Sequence, residues 1–277
     1  MSTESTNRAV LEHWYDHMWG KTDFDLIPDI AAAKYLRHDM TGANNLMPAE
    51  DYRDMLKPNI GHLEVQEFEY YLITEGDYVG ALGRYILEGD RQWDWVQVFR
   101  LADGRLAETW LTGMGGTDAL GYPHPRNAWT GEEFPEALPL NPAKQRVLDW
   151  YAFLFAPTDA ARAEDFLAAE IRVHDQLDGD RRVTAAQYFD EMRTLMRSES
   201  ASDFRHFLIE QDGVVFATCS CRLDDGRQWD WVQAFAIENE RISRTWLPAI
   251  GGTDTALAIG PGTRWPPGAM PADSRRL

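Results

Sequence analysis

Two dipeptides hold the clearest potential for chemistry, His38-Asp39 and His174-Asp175, which stand 136 residues apart. The first ends a short segment, Tyr35 to Met40, that reads as extended. An imidazole donates or accepts a proton near neutral pH. An aspartate enclosed by apolar groups has a raised pKa and serves as a general base. The plainer alternative makes the histidines backbone-bonded residues beside a strand end, and the aspartates end caps or surface acids. Neighbours in a strand face opposite sides, so His38 and Asp39 enter one pocket together only through a bulge. The expectation is Asp39 inside.

A second set sits in Arg91-Gln-Trp-Asp-Trp-Val-Gln97, repeated verbatim as Arg227 to Gln233. Strand alternation puts Trp93, Trp95, Gln97 and Phe99 on one face, and Trp229, Trp231, Gln233 and Phe235 on the matching face of the copy. Lining a pocket, these residues make an aromatic wall around one amide, suited to a planar or polycyclic apolar ligand. The alternative is a core filled by its own tryptophans. Asp94 and Asp230 then point the other way and are expected to pair with an arginine, such as Arg91, Arg100 or one from the other copy. If the register is one residue out, these two acids enter the pocket instead, which keeps them as secondary candidates.

These sites must be positioned by a fold that occurs twice. Of 11 tryptophans, Trp14, Trp93, Trp95, Trp110 and Trp129 recur at Trp150, Trp229, Trp231, Trp246 and Trp265. The constant offset of 136 marks a tandem duplication without net insertion. Its units are read as 1–136 and 137–277, with the joint in the Pro-punctuated stretch Glu132 to Pro142. In the first unit Val10, Leu11, Trp14, Tyr15 and Met18 share a helical face. Further helices are expected over Phe24 to Ala33 and Pro48 to Leu56. Four strands follow, His62–Thr74, Tyr78–Glu88, Arg91–Leu101 and Arg105–Met114, the last two joined by the hairpin signal Ala-Asp-Gly-Arg. Helices followed by a meander read as α+β, with helices on one face of an antiparallel sheet.

Helix, helix, Tyr-x-x-His-Asp, helix, then strands ending in Phe-Arg-Leu-Ala-Asp-Gly-Arg-Leu-Ala-Glu-Thr-Trp resembles the nuclear-transport-factor-2-like superfamily, and within it the SnoaL-like polyketide cyclases. The resemblance covers nearly the whole chain and implies two cone-shaped α+β barrels, pseudo-twofold related, each with helices packed on a curved antiparallel sheet. It also implies a covalent, intramolecular pseudo-dimer that needs no second chain. Ketosteroid isomerase belongs to the same superfamily. By resemblance to it, Tyr15 and Tyr151 donate to a developing enolate, and Asp39 and Asp175 are the general bases. Gln97 and Gln233 fall where that enzyme has a protonated aspartate, a worked example of carboxylate tuning. Glutamine donates at any pH but cannot release a proton.

The cyclase pattern also departs from this chain. A catalytic aspartate four residues after the Glu-x-Trp tryptophan is replaced by Met114 and Ile250. At the 136 offset Glu108 corresponds to Arg244 and Tyr35 to Ile171, so the two sites are not equivalent. The resemblance therefore implies a cofactor-independent acid–base enzyme, a cyclase, isomerase or dehydratase, of secondary metabolism or small-molecule catabolism. Its substrate would be an apolar or aromatic, carbonyl-bearing molecule, and no metal or organic cofactor is expected. One alternative is a non-catalytic binding protein. Another is an epoxide hydrolase, which needs a water-activating acid beside an arginine; Arg37 or Arg84 serve in the first half, but Val173 and Ser220 replace them in the second.

Composition limits the partners. Acidic residues outnumber basic ones 45 to 27, a formal charge of −18 that argues against nucleic acid and anionic membranes. No apolar run approaches the ~18 residues of a spanning helix, and no secretory signal is visible at the start. Cys219 and Cys221, two apart in a strand, are poorly placed for a disulfide. A reduced, cytoplasmic setting is the expectation.

Overall fold

The structure, a computed structural model, describes residues 2–39, 42–61, 64–88, 91–111, 114–116, 134–156, 159–175, 179–196, 201–224, 226, 228–248, 250–252 and 265–277. Glu132, which begins the expected joint, and the repeated Trp129 lie outside them, as do the side chains of Met114 and Ile250.

The chain opens with α1 (Thr3–His13), whose N-terminal amides are capped by Ser2. A π-helical turn, Trp14–Trp19, continues it. After α2 (Ile27–Ile30) come β1 (Ala31–Asp39), β2 (Gly42–Pro48) and α3 (Ala49–Ile60). The meander is β3 (Val65–Glu75), β4 (Tyr78–Leu87), β5 (Arg91–Ala102), β6 (Arg105–Trp110) and the short β7 (Met114–Gly116). Asp103 and Gly104 both adopt positive φ, which gives the β5–β6 hairpin the tight turn its sequence signals. The second half repeats the order. It has α4 (Pro142–Leu154), β8 (Leu167–Asp175), β9 (Arg181–Thr184) and α5 (Ala185–Leu195), then β10 (Ala201–Gln211), β11 (Val214–Leu223), β12 (Gln228–Glu238), β13 (Arg241–Leu247) and β14 (Ile250–Gly252). A reciprocal capping box between Thr184 and Gln187 starts α5. The final strand is β15 (Arg275–Arg276).

The expected cone-shaped barrels do not form, and the sheets are not purely antiparallel. The first sheet runs β15-β3-β4-β5-β6-β1-β2, and the second β10-β11-β12-β13-β8-β9, with β7 and β14 attached to β5 and β12. The end strands of neither sheet pair with each other, so both sheets are open. In each, the strand that follows the opening helices runs parallel to the last long strand of the meander: β1 beside β6, β8 beside β13. β2 and β9 are additional to the strands expected from the sequence.

Closure is unnecessary because both faces of each sheet are covered without it. One face of the first sheet lies under helices, in a core that includes Tyr15, Tyr52, Trp93, Trp95 and Phe99. A matching core in the second half includes Tyr151, Tyr188, Trp229, Trp231 and Phe235. The opposite faces pack on each other, joining Ile73, Val96, Val98 and Trp110 to Ile209, Phe216, Val232 and Trp246. A Cβ on Gly80 would come 2.8 Å from the Phe216 ring, so this contact requires glycine. The interface is reciprocal. The Thr74 amide donates to Gln211 Oε1 (2.8 Å) and the Glu210 amide donates to Glu75 Oε2 (2.7 Å), each pair being the other's repeat mate. The chain then crosses back: β15 pairs with β3, and Leu277 N–H donates to Phe68 O (2.9 Å). No helix among the described residues is long and apolar enough to cross a membrane.

Candidate active site

β1 ends at Asp39, and alternation brings the side chain of Arg37 to the same side. Arg37 Nη2 and Asp39 Oδ2 form an ion pair with both residues buried. The Arg37 guanidinium carbon lies over the ring of Tyr52 of α3, 3.8 Å from its centre, a cation–π contact. Tyr35 packs against the same ring, 5.7 Å away centre to centre. Burial is the main cause that pushes the Tyr52 phenol up to about 12, so it remains a neutral hydroxyl.

In the second half Asp175 Oδ2 is held by Arg181 Nη2 at 2.6 Å, and Arg181 Nη1 reaches Glu191 Oε2 at 2.5 Å. Arg181 is not the repeat mate of Arg37. That position is Val173, and the mate of Arg181 is Asn45. The ladders explain how the pair survives. Arg37 stands opposite Asn45 across β1 and β2, and Val173 stands opposite Arg181 across β8 and β9. The guanidinium has moved one rung across the sheet and still meets the same aspartate oxygen.

A buried polar chain stands beside each pair. In the first half Trp95 Nε1–H donates to Tyr15 Oη (3.4 Å), Tyr15 donates to Gln97 Oε1 (3.3 Å), and Gln97 Nε2 donates to Thr109 Oγ1 (2.8 Å). In the second half the corresponding distances are 3.0 Å from Trp231 to Tyr151, 2.9 Å from Tyr151 to Gln233 and 2.7 Å from Gln233 to Thr245. Gln233 Nε2 also donates to Tyr188 Oη at 3.1 Å. Burial pushes the Tyr15 and Tyr151 phenols up, so both hold their protons and act as donors. Tyr52/Tyr188 and Thr109/Thr245 are site neighbours that the sequence reading did not single out. The 136-residue offset pairs them, and that signal was available.

The histidines lie elsewhere. His38 stacks on Trp110 of the intersheet core (5.4 Å, 14° between planes), with Nε2 3.0 Å from Glu108 Oε1. Burial works to raise the Glu108 carboxyl, but hydrogen bonds from His38 and Arg100 outweigh it and hold the group below the usual carboxylate range. His174 stacks on Trp246 (5.8 Å) and places Nδ1 2.6 Å from Gly179 O. Burial pushes its pKa down to about 4. The structure therefore joins Asp39 to Arg37 and Tyr52, and it joins His38 to Glu108 and Trp110.

Asp94 is fully buried. It accepts hydrogen bonds from Gln92 Nε2 (2.7 Å) and from the Trp265 amide (3.1 Å), holding the crossing C-terminal segment. Asp230 accepts from Gln228 Nε2 at 3.0 Å. Arg84 binds Glu67 and Glu69. Trp93, Trp95, Trp229, Trp231, Phe99 and Phe235 are all buried. Two surface grooves, about 420 Å³ beside Arg146 and Asp149 and about 280 Å³ beside Asn7 and Asp103, share no residue with these sites. Among the described residues no group of His, Cys, Asp and Glu is placed to hold a metal ion.

No family model matches the chain, and no curated protein matches it. Solved structures do. A candidate ketosteroid isomerase from Kribbella flavida is 16% identical with a TM-score of 0.35, over 51% of this chain and 96% of its own. A candidate polyketide cyclase from Acidithiobacillus ferrooxidans is 14% identical with a TM-score of 0.35, over 43% and 92%. An LEH-like epoxide hydrolase from M. tuberculosis is 13% identical with a TM-score of 0.33, over 40% and 85%. At these identities and scores the likeness assigns neither a family nor a reaction to this chain.

Proposed function

We propose that the protein is a cofactor-independent acid–base enzyme built from two SnoaL-like units, 1–136 and 137–277. It acts on an apolar, carbonyl-bearing small molecule as a cyclase, isomerase or dehydratase. The observation that carries this reading is the Asp–Arg pair, rebuilt in the second half from the opposite rung of the ladder beside a tyrosine–glutamine chain. A pair kept by two different arginines is under a constraint that neither arginine position alone explains. The Asp39 carboxylate takes a proton from the carbon next to the carbonyl. The electron pair of that C–H bond moves onto the carbonyl oxygen, where Tyr15, Gln97 and Arg37 supply donors to the developing enolate. The protonated Asp39 carboxyl then returns its proton, either to another carbon of the enolate or to a departing β-hydroxyl, which leaves as water while the enolate electron pair forms the new C=C bond.

Carbon-acid exchange tests this without knowing the substrate. A panel of cyclic ketones, 1,3-diketones and aryl ketones in D2O is followed by NMR. The wild type accelerates exchange of at least one member. The Asp39→Asn, Asp175→Asn double variant loses ~10²–10⁴-fold of that acceleration, the contribution of one general base. Exchange equal in wild type and double variant sinks the reading.

The Arg37–Asp39 pair also favours a second reading, since an acid beside an arginine is what epoxide opening by water needs. The carboxylate would take a proton from water, the oxygen of that water would attack an epoxide carbon, and the ring oxygen would leave with a proton from a neighbouring donor. Styrene oxide in H2¹⁸O distinguishes the two, because labelled diol supports hydrolysis and its absence leaves the carbon-acid reading. Neither exchange nor diol, with apolar ketones still bound, points to a non-catalytic binder.

A further inference from the structure

The two polar chains use the same residue types but are not equally satisfied. Gln233 has no exposed surface, and every polar atom of its amide is engaged. Oε1 accepts from Tyr151, and Nε2 donates to both Thr245 and Tyr188. Tyr151 meets not only Gln233 and Trp231 but also the Cys219 thiol. Gln97 differs. Its Nε2 donates to Thr109, no second acceptor for that amide stands among the described residues, and its bond from Tyr15 is long at 3.3 Å. It also retains accessible surface, although Gln92 to Val96 before it and Val98 and Phe99 after it are buried. β5 is an interior strand, paired on both sides, and Gln97 shares the helix-side face with Trp95 and Phe99. Accessible surface there means an opening on that face.

Three differences produce this opening. At the place of Cys219 the first half has Gly83, and a Cβ on Gly83 would fall 1.9 Å from the Trp95 ring. Trp95 therefore lies down on the strand, where in the second half a thiol stands against the tyrosine. Arg37 and Tyr35 hold the Tyr52 ring, whereas Val173 and Ile171 at the matching positions leave Tyr188 to close on Gln233. Finally, Tyr15 sits in a π-helical turn while Tyr151 sits in a regular helix. Such turns recur at functional sites.

From these differences we infer a division of labour. The first half holds the working site, with the unspent N–H of Gln97 and the loosely held Tyr15 hydroxyl as the donors to the ligand carbonyl. The second half is a closed structural mate, sealed by Tyr188 and Cys219. The inference rests on the acid–base reading for what happens to the ligand, but not for where the ligand binds.

The test uses 2-acetylnaphthalene, a planar apolar ketone with exchangeable methyl protons, and the full chain. Calorimetric titration is expected to give one site per chain. Gln97→Leu weakens that site about tenfold, as loss of a donor to a buried acceptor does, while Gln233→Leu leaves it within twofold. Gln97→Met keeps the length of the side chain and removes the donor, so it gives the same weakening if the leucine variant fails to fold. Asp39→Asn alone abolishes methyl H–D exchange, and Asp175→Asn does not. Two equal sites per chain, no binding, or dependence on Gln233 in place of Gln97 would overturn the inference. One Gln97-dependent site without accelerated exchange would keep the division and defeat the acid–base reading.

Discussion

A carboxylate buried against a guanidinium gains Coulomb attraction but gives up hydration, and the two nearly cancel until one partner is removed. Removal leaves an uncompensated charge. Arg37 is 2% exposed and Asp39 6%, so Arg37→Val, which installs the residue found at 173, should lower unfolding stability by about 3–5 kcal/mol in urea titrations. Arg37→Val with Asn45→Arg copies the arrangement of the second half and should recover most of that loss. No recovery would mean that the two ladders do not present the rung equivalently. The residue identities of both pairs stand in the sequence, but their pairing does not. It depends on which residue faces which across β1 and β2, and β2 has too little hydrophobic alternation to announce itself.

At the scale of the element, the meander was legible and the strands around it were less so. Trp93, Trp95, Phe99 and Leu101 enter the helix-side core, while Val96 and Val98 enter the intersheet core, because two-residue alternation is a local property of an extended chain. Gly83 shows what alternation misses. Nothing in the sequence says that a tryptophan from the next strand lies across it. Gly83→Ala should cost about 1–3 kcal/mol, read from the shift in urea midpoint, because the added methyl has no room beneath the Trp95 ring. The same change should shorten the path of Trp95 toward Tyr15 and perturb indole fluorescence. Unchanged stability would show that Trp95 moves freely.

The whole molecule is held by an interface in which each sheet serves as the other's cover, and His174 lies beside its tryptophans. Its pKa falls from 6.5 to about 4, chiefly through burial. Between those values the unfolded chain binds a proton at His174 and the folded chain does not. Stability from this group is therefore complete above pH 6.5 and is lost as the pH falls toward 4, by about 3 kcal/mol at most. His174→Phe, which keeps a ring on Trp246, should flatten the decline in urea stability between pH 7 and pH 4.5. His206, also pushed down by burial, supplies part of the slope that remains. An equally steep decline in the variant would place the proton uptake elsewhere.

The sequence by itself determined the duplication, the order of most elements, the face on which Trp93, Trp95, Trp229 and Trp231 sit and several of the residues of both candidate sites. Each of these is set by repetition or by local periodicity. Only the tertiary structure decided that the sheets stay open, that Arg181 stands in for Arg37, that the histidines part from their aspartates and that one glutamine is sealed while the other is not. Those outcomes turn on which strands become neighbours and which side chains meet across them. Such pairings are made between distant parts of the chain, and the residues near either partner leave no record of them.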